Sequence, residues 1–176
     1  MSKLSRTGFW ILLSGALILA LSLGTRHGFG LFLAPMSAEF GWGRETFAFA
    51  IALQNLIWGI AQPFTGAIAD RFGAMRAVVV GGILYAIGLV LMGYSDSAFS
   101  LSMSAGLLIG IGLSGTSFSV ILGAVGRAVP LEQRSMAMGI SAAAGSFGQF
   151  AMLPGTLGLI SWLGWSAALL ALGLFF

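Results

Sequence analysis

Gly66-Ala67-Ile68-Ala69-Asp70-Arg71-Phe72-Gly73-Ala74-Met75-Arg76 separates two long apolar runs. The stretch is too brief to be anything but a tight link between consecutive membrane-spanning helices, and each residue type has a physical task in it. Gly66 lets a helix end pack closely, Asp70 sits where the next helix presents its positive N-terminal dipole, and Gly73 permits the reversal. Arg71 and Arg76 stay in water near the lipid headgroups.

Composition leads outward from that turn to the same class. The chain is 58% hydrophobic and 7% charged, with a mean hydropathy of +1.01. That leaves too little polar surface to coat a water-soluble globule of 176 residues. A pI near 10.2 would suit nucleic acid only if the bases clustered. The eight Lys and Arg are instead scattered singly, so their placement reads as membrane topology and no nucleic-acid partner is expected. With no Cys and one His, thiolate sites and histidine clusters are excluded, and no metal or cofactor is expected.

Apolar runs of roughly 20 residues predict six transmembrane helices: about Gly8 to Met36, Thr46 to Ala69, Ala77 to Tyr94, Phe99 to Val125, Ser135 to Ile160, and Trp165 onward. Lys3 and Arg6 precede the first span, Arg71 and Arg76 follow the second, and Arg127 and Arg134 follow the fourth, all on one side. The other side has Arg44 as its only base, beside Glu39, Glu45 and Asp96. The bias predicts a cytoplasmic N-terminus in a multi-pass protein of a plasma membrane, of the bacterial inner-membrane kind. A cleavable leader is the competing reading of the first run, whose Ala16 to Leu23 stretch is rich in small residues; apolar character resuming from Phe29 to Ala34 favours a spanning helix.

The turn resembles the signature loop between the second and third helices of the major facilitator superfamily, Gly-x-Leu-Ala-Asp-Arg-x-Gly-Arg-Arg/Lys. Gly66, Ala69, Asp70, Arg71 and Gly73 agree, Ile68 replaces Leu, and Ala74 stands where a base is usual, with Arg76 nearby. The resemblance implies an all-α integral membrane fold of twelve helices in two halves, each built of two inverted three-helix repeats. It also implies that Gly66, Asp70, Arg71, Gly73 and Arg76 belong to a conformational gate, in which Asp70 and Arg71 latch the cytoplasmic side. Residues 1–176 are expected to be the N-terminal half, the sixth helix incomplete and the C-terminal half a missing partner, because Trp165 to Phe176 rises only about 18 Å against roughly 30 Å of hydrocarbon.

Twenty-seven glycines point to close helix contacts, since small residues let backbones approach where lipid tails compete with large side chains. Asn55, Gly59, Gln62 and Gly66 share one face of the second span, Gly81, Tyr85, Gly88 and Met92 one face of the third, and Ser102, Gly106 and Gly110 recur at four-residue steps in the fourth. In the fifth, Gly145, Gly148 and Gln149 precede Pro154-Gly155, where a bend or break is expected. Pro154 lacks the glycine-proline pattern of the superfamily's drug-proton antiporters, which weighs against drug efflux.

Arg26 carries the functional reading. A guanidinium inside an apolar segment normally faces a bundle interior or a wet path, and Gly15, Ser22, Arg26 and Gly30 form a small-polar stripe. Snorkelling to the outer boundary is the alternative. In a cavity, Arg26 offers fixed positive charge in a planar fork, which suits an organic anion as solute. His27 would be a second donor or a proton-sensitive group, and Asn55 and Gln62 would line the path. The run Arg26-His27-Gly28-Phe29-Gly30-Leu31-Phe32, with Pro35-Met36, Glu39-Phe40-Gly41-Trp42 and Gly164-Trp165 further on, resembles the monocarboxylate and oxalate-formate branch of the superfamily. That branch has a first-helix lysine implicated in handling carboxylate; its place falls on His27, with Arg26 one residue earlier.

Two readings from other classes stand beside the carrier. Gly112-Leu113-Ser114-Gly115 is similar to the nucleophile motif of rhomboid intramembrane serine proteases, but no His follows Ser114 to serve as its base. A non-transporting membrane remnant is the other, and a neutral small solute is the alternative cargo.

Overall fold

A computed structural model describes residues 5–176, and among these the chain is built of six helical segments without a strand. They are α1 (Arg6–Phe40), α2 (Arg44–Phe72), α3 (Ala74–Gly93), α4 (Ala98–Ala128), α5 (Leu131–Leu163) and α6 (Trp165–Gly173). The first five are long and apolar enough to cross a membrane. A helix stands at each of the six expected places, the sixth only nine residues long, and most ends lie a few residues beyond the apolar run, in its flanks. Lys3, used above to orient the first span, lies outside the described residues.

One residue links α2 to α3. Gly73 takes φ +93 and ψ 139, a backbone region closed to side chains with a Cβ. Other breaks are less visible in the sequence. α1 consists of two regular stretches, Arg6–His27 and Gly30–Phe40, joined where the amides of Gly28 and Phe29 reach back to the carbonyls of Thr25 and Arg26. α4 contains a π-helical stretch over Ser102–Leu108 and a second interruption at Thr116 and Ser117. α5 runs unbroken from Leu131 to Leu163 with Pro154 inside it, so the break considered there does not occur. One proline removes one ladder bond, and the 33-residue helix continues past it.

α1 lies between α5 and the later part of α4, α2 packs on the earlier part of α4, and α3 packs on α4 and α6. Exchanging α1–α2–α3 for α4–α5–α6 converts the α1–α5 pair into the α4–α2 pair, the relation expected of an internal repeat. Small residues make these approaches possible. A Cβ added at Gly148 of α5 would lie 2.2 Å from the Ala20 carbonyl oxygen of α1, and one at Gly112 of α4 would lie 2.7 Å from the Tyr85 nitrogen of α3. Gly106 and Gly110 meet Leu53 and Gln54 of α2, so the expected seam in α4 is a contact surface. Gly59 and Gly66 of α2 have nothing within 4 Å; their face of α2 is not covered by these helices.

Long-range side-chain contacts define the two ends of the bundle. At one end Asp70, late in α2, pairs with Arg127, late in α4. At the other, Trp165 at the start of α6 donates through Nε1 to Glu39 near the end of α1, and its ring meets that of Phe40 edge-on with centroids 5.8 Å apart. A core around Phe29, Phe32, Tyr85, Leu89 and Ile109 fills the half towards Trp165, and Leu19, Leu23, Ile121 and Val125 form a second cluster.

Candidate functional site

Arg26 sits fourteen residues before Phe40 closes α1, about 21 Å of helical rise. Its side chain turns to α2. Nη2 donates to Asn55 Oδ1 at 2.5 Å, while Asn55 Nδ2 donates to the Ile51 carbonyl at 2.9 Å and so directs its oxygen at the cation. Trp58 follows Asn55 by three residues, which puts both on one helix face, and the guanidinium carbon lies 5.1 Å from the Trp58 ring centroid. A cation over an indole face is attracted by the ring quadrupole. Among the described residues no carboxylate reaches Arg26; the one ion pair is Asp70–Arg127.

Several polar atoms here are buried and unsatisfied. Arg26 Nε, Trp58 Nε1 and Gln54 Oε1 have no hydrogen-bond partner, although Gln54 Nε2 donates to the Ala105 carbonyl at 2.7 Å. Such groups cost free energy unless something completes them. Arg26, His27, Phe29, Gly30, Phe47, Ile51 and Gln54 line a cavity of about 220 Å³. Arg26 and His27 therefore border the same space and Asn55 touches it through Arg26, while Gln62 stands apart and donates to Ser117 Oγ at 3.3 Å. Ser22 of the expected stripe is buried between the Ile18 and Thr116 carbonyls, and Gly15 packs on Ile121. The stripe is thus helix contact up to Ser22 and borders the cavity from Arg26 onward.

At the charged end, Arg127 Nη1 donates to Asp70 Oδ1 at 3.0 Å across α2 and α4, with both side chains more than half exposed. Asp70 does not pair with Arg71, whose guanidinium lies over the Phe72 ring at 5.3 Å. Gly66 and Gly73 have open space beside them, and Arg76 is exposed at the start of α3.

The sequence profile described as Major Facilitator Superfamily matches residues 12–176. The chain belongs to that superfamily. It is 30% identical to Monocarboxylate transporter 11 of Mus musculus over 165 residues, 93% of this chain and 36% of that protein. Monocarboxylate transporter 13 of Bos taurus is 30% identical over 163 residues, 93% of this chain and 38% of its own length. The Uncharacterized MFS-type transporter YhjX of Escherichia coli (strain K12) is 32% identical over 102 residues, 58% of this chain and 25% of that protein. The chain spans little more than a third of the length of the two monocarboxylate transporters.

Superfamily membership makes this a multi-pass membrane protein and supports a transporter role over an enzymatic one. Ser114 agrees with that role: its hydroxyl is buried, donates to the Ile111 carbonyl at 2.7 Å and lies 2.7 Å from Thr65 Oγ1. His27, the one His in the chain, borders a different cavity from Ser114. Two residues at these sites, Trp58 and Gln54, escaped the sequence reading, and a third, Arg127, was read for topology alone. Trp58 was legible, one turn beyond Asn55 on the same face. Gln54 and Arg127 owe their positions to contacts with α4 and α2, 51 and 57 residues away, and nothing local marks them.

Proposed function

We propose that this chain forms one six-helix half, the N-terminal one, of a secondary carrier that moves a small monocarboxylate-like organic anion by alternating access. The observation that carries the reading is Arg26: a half-buried guanidinium within α1, without a carboxylate partner among the described residues, held by Asn55 and Trp58 beside a cavity. Such a cation is completed by an anion. Its fork and the free Nε match a carboxylate, while Phe29, Phe47 and Ile51 suit a short apolar tail. The monocarboxylate transporters among the relatives point to the same solute class. His27 would add a donor at the rim, and Gln62 would line the path further along α2.

The open face of α2, with Gly59 and Gly66 unpacked, supports a path completed by helices of a second half. The Asp70–Arg127 end would face the cytoplasm and act as the gate, with Arg71, Arg76 and the Gly73 turn beside the latch. Uptake of radiolabelled propionate into proteoliposomes tests the reading. Arg26→Gln should reduce uptake at least about tenfold, the loss expected when one charge-assisted contact to the solute is removed. Unchanged uptake at equal reconstitution would refute a solute role for Arg26.

A further inference from the structure

A second cavity, of about 380 Å³, lies between α2, α3 and α4, away from Arg26. Its walls are apolar, built by Ile68, Phe72, Val80, Leu84 and Ile111, with Arg76 at one end. The two hydroxyls deeper in the groove, Thr65 and Ser114, are 2.7 Å apart, and each also lies within hydrogen-bond distance of a backbone carbonyl. They leave no demand for a polar ligand there.

Arg76 is exposed, and Asp70, the acid nearest to it in the chain, is held by Arg127. From Arg76 to Leu84 the helix rises about 12 Å, close to the roughly 15 Å of hydrocarbon in one leaflet. A groove close to one leaflet in length, apolar inside and ending in a cation unpaired among the described residues, matches the shape and charge of a single lipid. We propose that it binds an anionic phospholipid, with the phosphate against Arg76 and an acyl chain along Ile68, Val80, Leu84 and Ile111. Arg71, over the Phe72 ring at the same end, adds positive potential at the headgroup. The basic end of the bundle is also the end that the charge bias would place against the anionic cytoplasmic leaflet.

Native mass spectrometry of the purified protein, with equimolar phosphatidylglycerol and phosphatidylcholine of identical acyl chains, tests the site. Phosphatidylglycerol should be retained in about fivefold excess, the contribution of one arginine near a membrane surface. Arg76→Gln should bring the two lipids close to parity, whereas Arg134→Gln, removing an exposed arginine outside this groove, should keep the preference. Val80→Trp, at an exposed groove position, should lower retention of both lipids by obstructing the chain. Equal retention by the unaltered protein, an undiminished preference in Arg76→Gln, an equal fall in Arg134→Gln, or normal retention in Val80→Trp would each overturn the proposal.

Discussion

Replacing Gly148 with alanine places a methyl group in the tightest helix crossing of the bundle. Its carbon would lie 2.2 Å from the Ala20 carbonyl oxygen, 2.4 Å from Ala20 Cα and 2.6 Å from the Ala20 carbonyl carbon. Ordinary contact begins near 3.4 Å, and these neighbours are backbone, so α1 and α5 must part by roughly 1 Å. A gap of that size forfeits about a quarter to a half of each dispersion contact along the crossing. Overpacking of this kind costs about 1–3 kcal/mol, and the upper end applies because no side chain can swing away. Better helix propensity returns about 1 kcal/mol. The net loss is about 2 kcal/mol, equivalent to roughly 4–8 °C in melting temperature for a bundle of this size. Gly158→Ala is the control on the same helix, with nothing within 4 Å of its added carbon; it should melt with the parent or slightly above it. Melting of detergent-solubilised protein, followed by size-exclusion of the surviving fraction, reads both. If the two variants melt together, the close-crossing argument fails.

Asp70→Asn and Arg127→Gln should each change stability by less than about 1 kcal/mol, since the pair is exposed, yet slow propionate uptake several-fold with binding retained; the reversed pair Asp70→Arg with Arg127→Asp should recover part of the rate. Melting curves and initial rates check this, and equal loss of binding and uptake would count against a gate. The chain has no native Cys, so single cysteines at 71, 134 and 94 can be labelled cleanly. Positions 71 and 134 should react from one side of the membrane and position 94 from the other; labelling of 71 and 134 from opposite sides would overturn the helix count.

The helices were legible because lipid demands long apolar runs, and the Asp70–Gly73 turn was legible because only one backbone conformation links α2 to α3 so briefly. Breaks inside helices were not. Gly28-Phe29 and Thr116-Ser117 look no more disruptive than Pro154-Gly155, yet regular helix is interrupted at the first two and continues through the third. Glycine spacing has the same ambiguity: Gly106 and Gly110 lie in a crossing, whereas Gly59 and Gly66, at equally regular positions, face open space. Which face a neighbour covers is a tertiary fact. The cluster around Arg26 was readable in part, because a lone cation in an apolar run needs an explanation. Asn55 and Trp58 joined it only when α2 was laid beside α1, and Arg127 emerged as the partner of Asp70 only when the ends of α2 and α4 met.

The anion claim is tested most directly by fluorescence titration of Trp58, whose ring lies 5.1 Å from the Arg26 guanidinium, using the change that Trp58→Phe removes as its signal. Propionate should give a saturable change, propionamide of the same shape should give none, and Arg26→Gln should abolish the propionate response. An identical response to acid and amide, or a propionate response undiminished in Arg26→Gln, would contradict anion binding at Arg26.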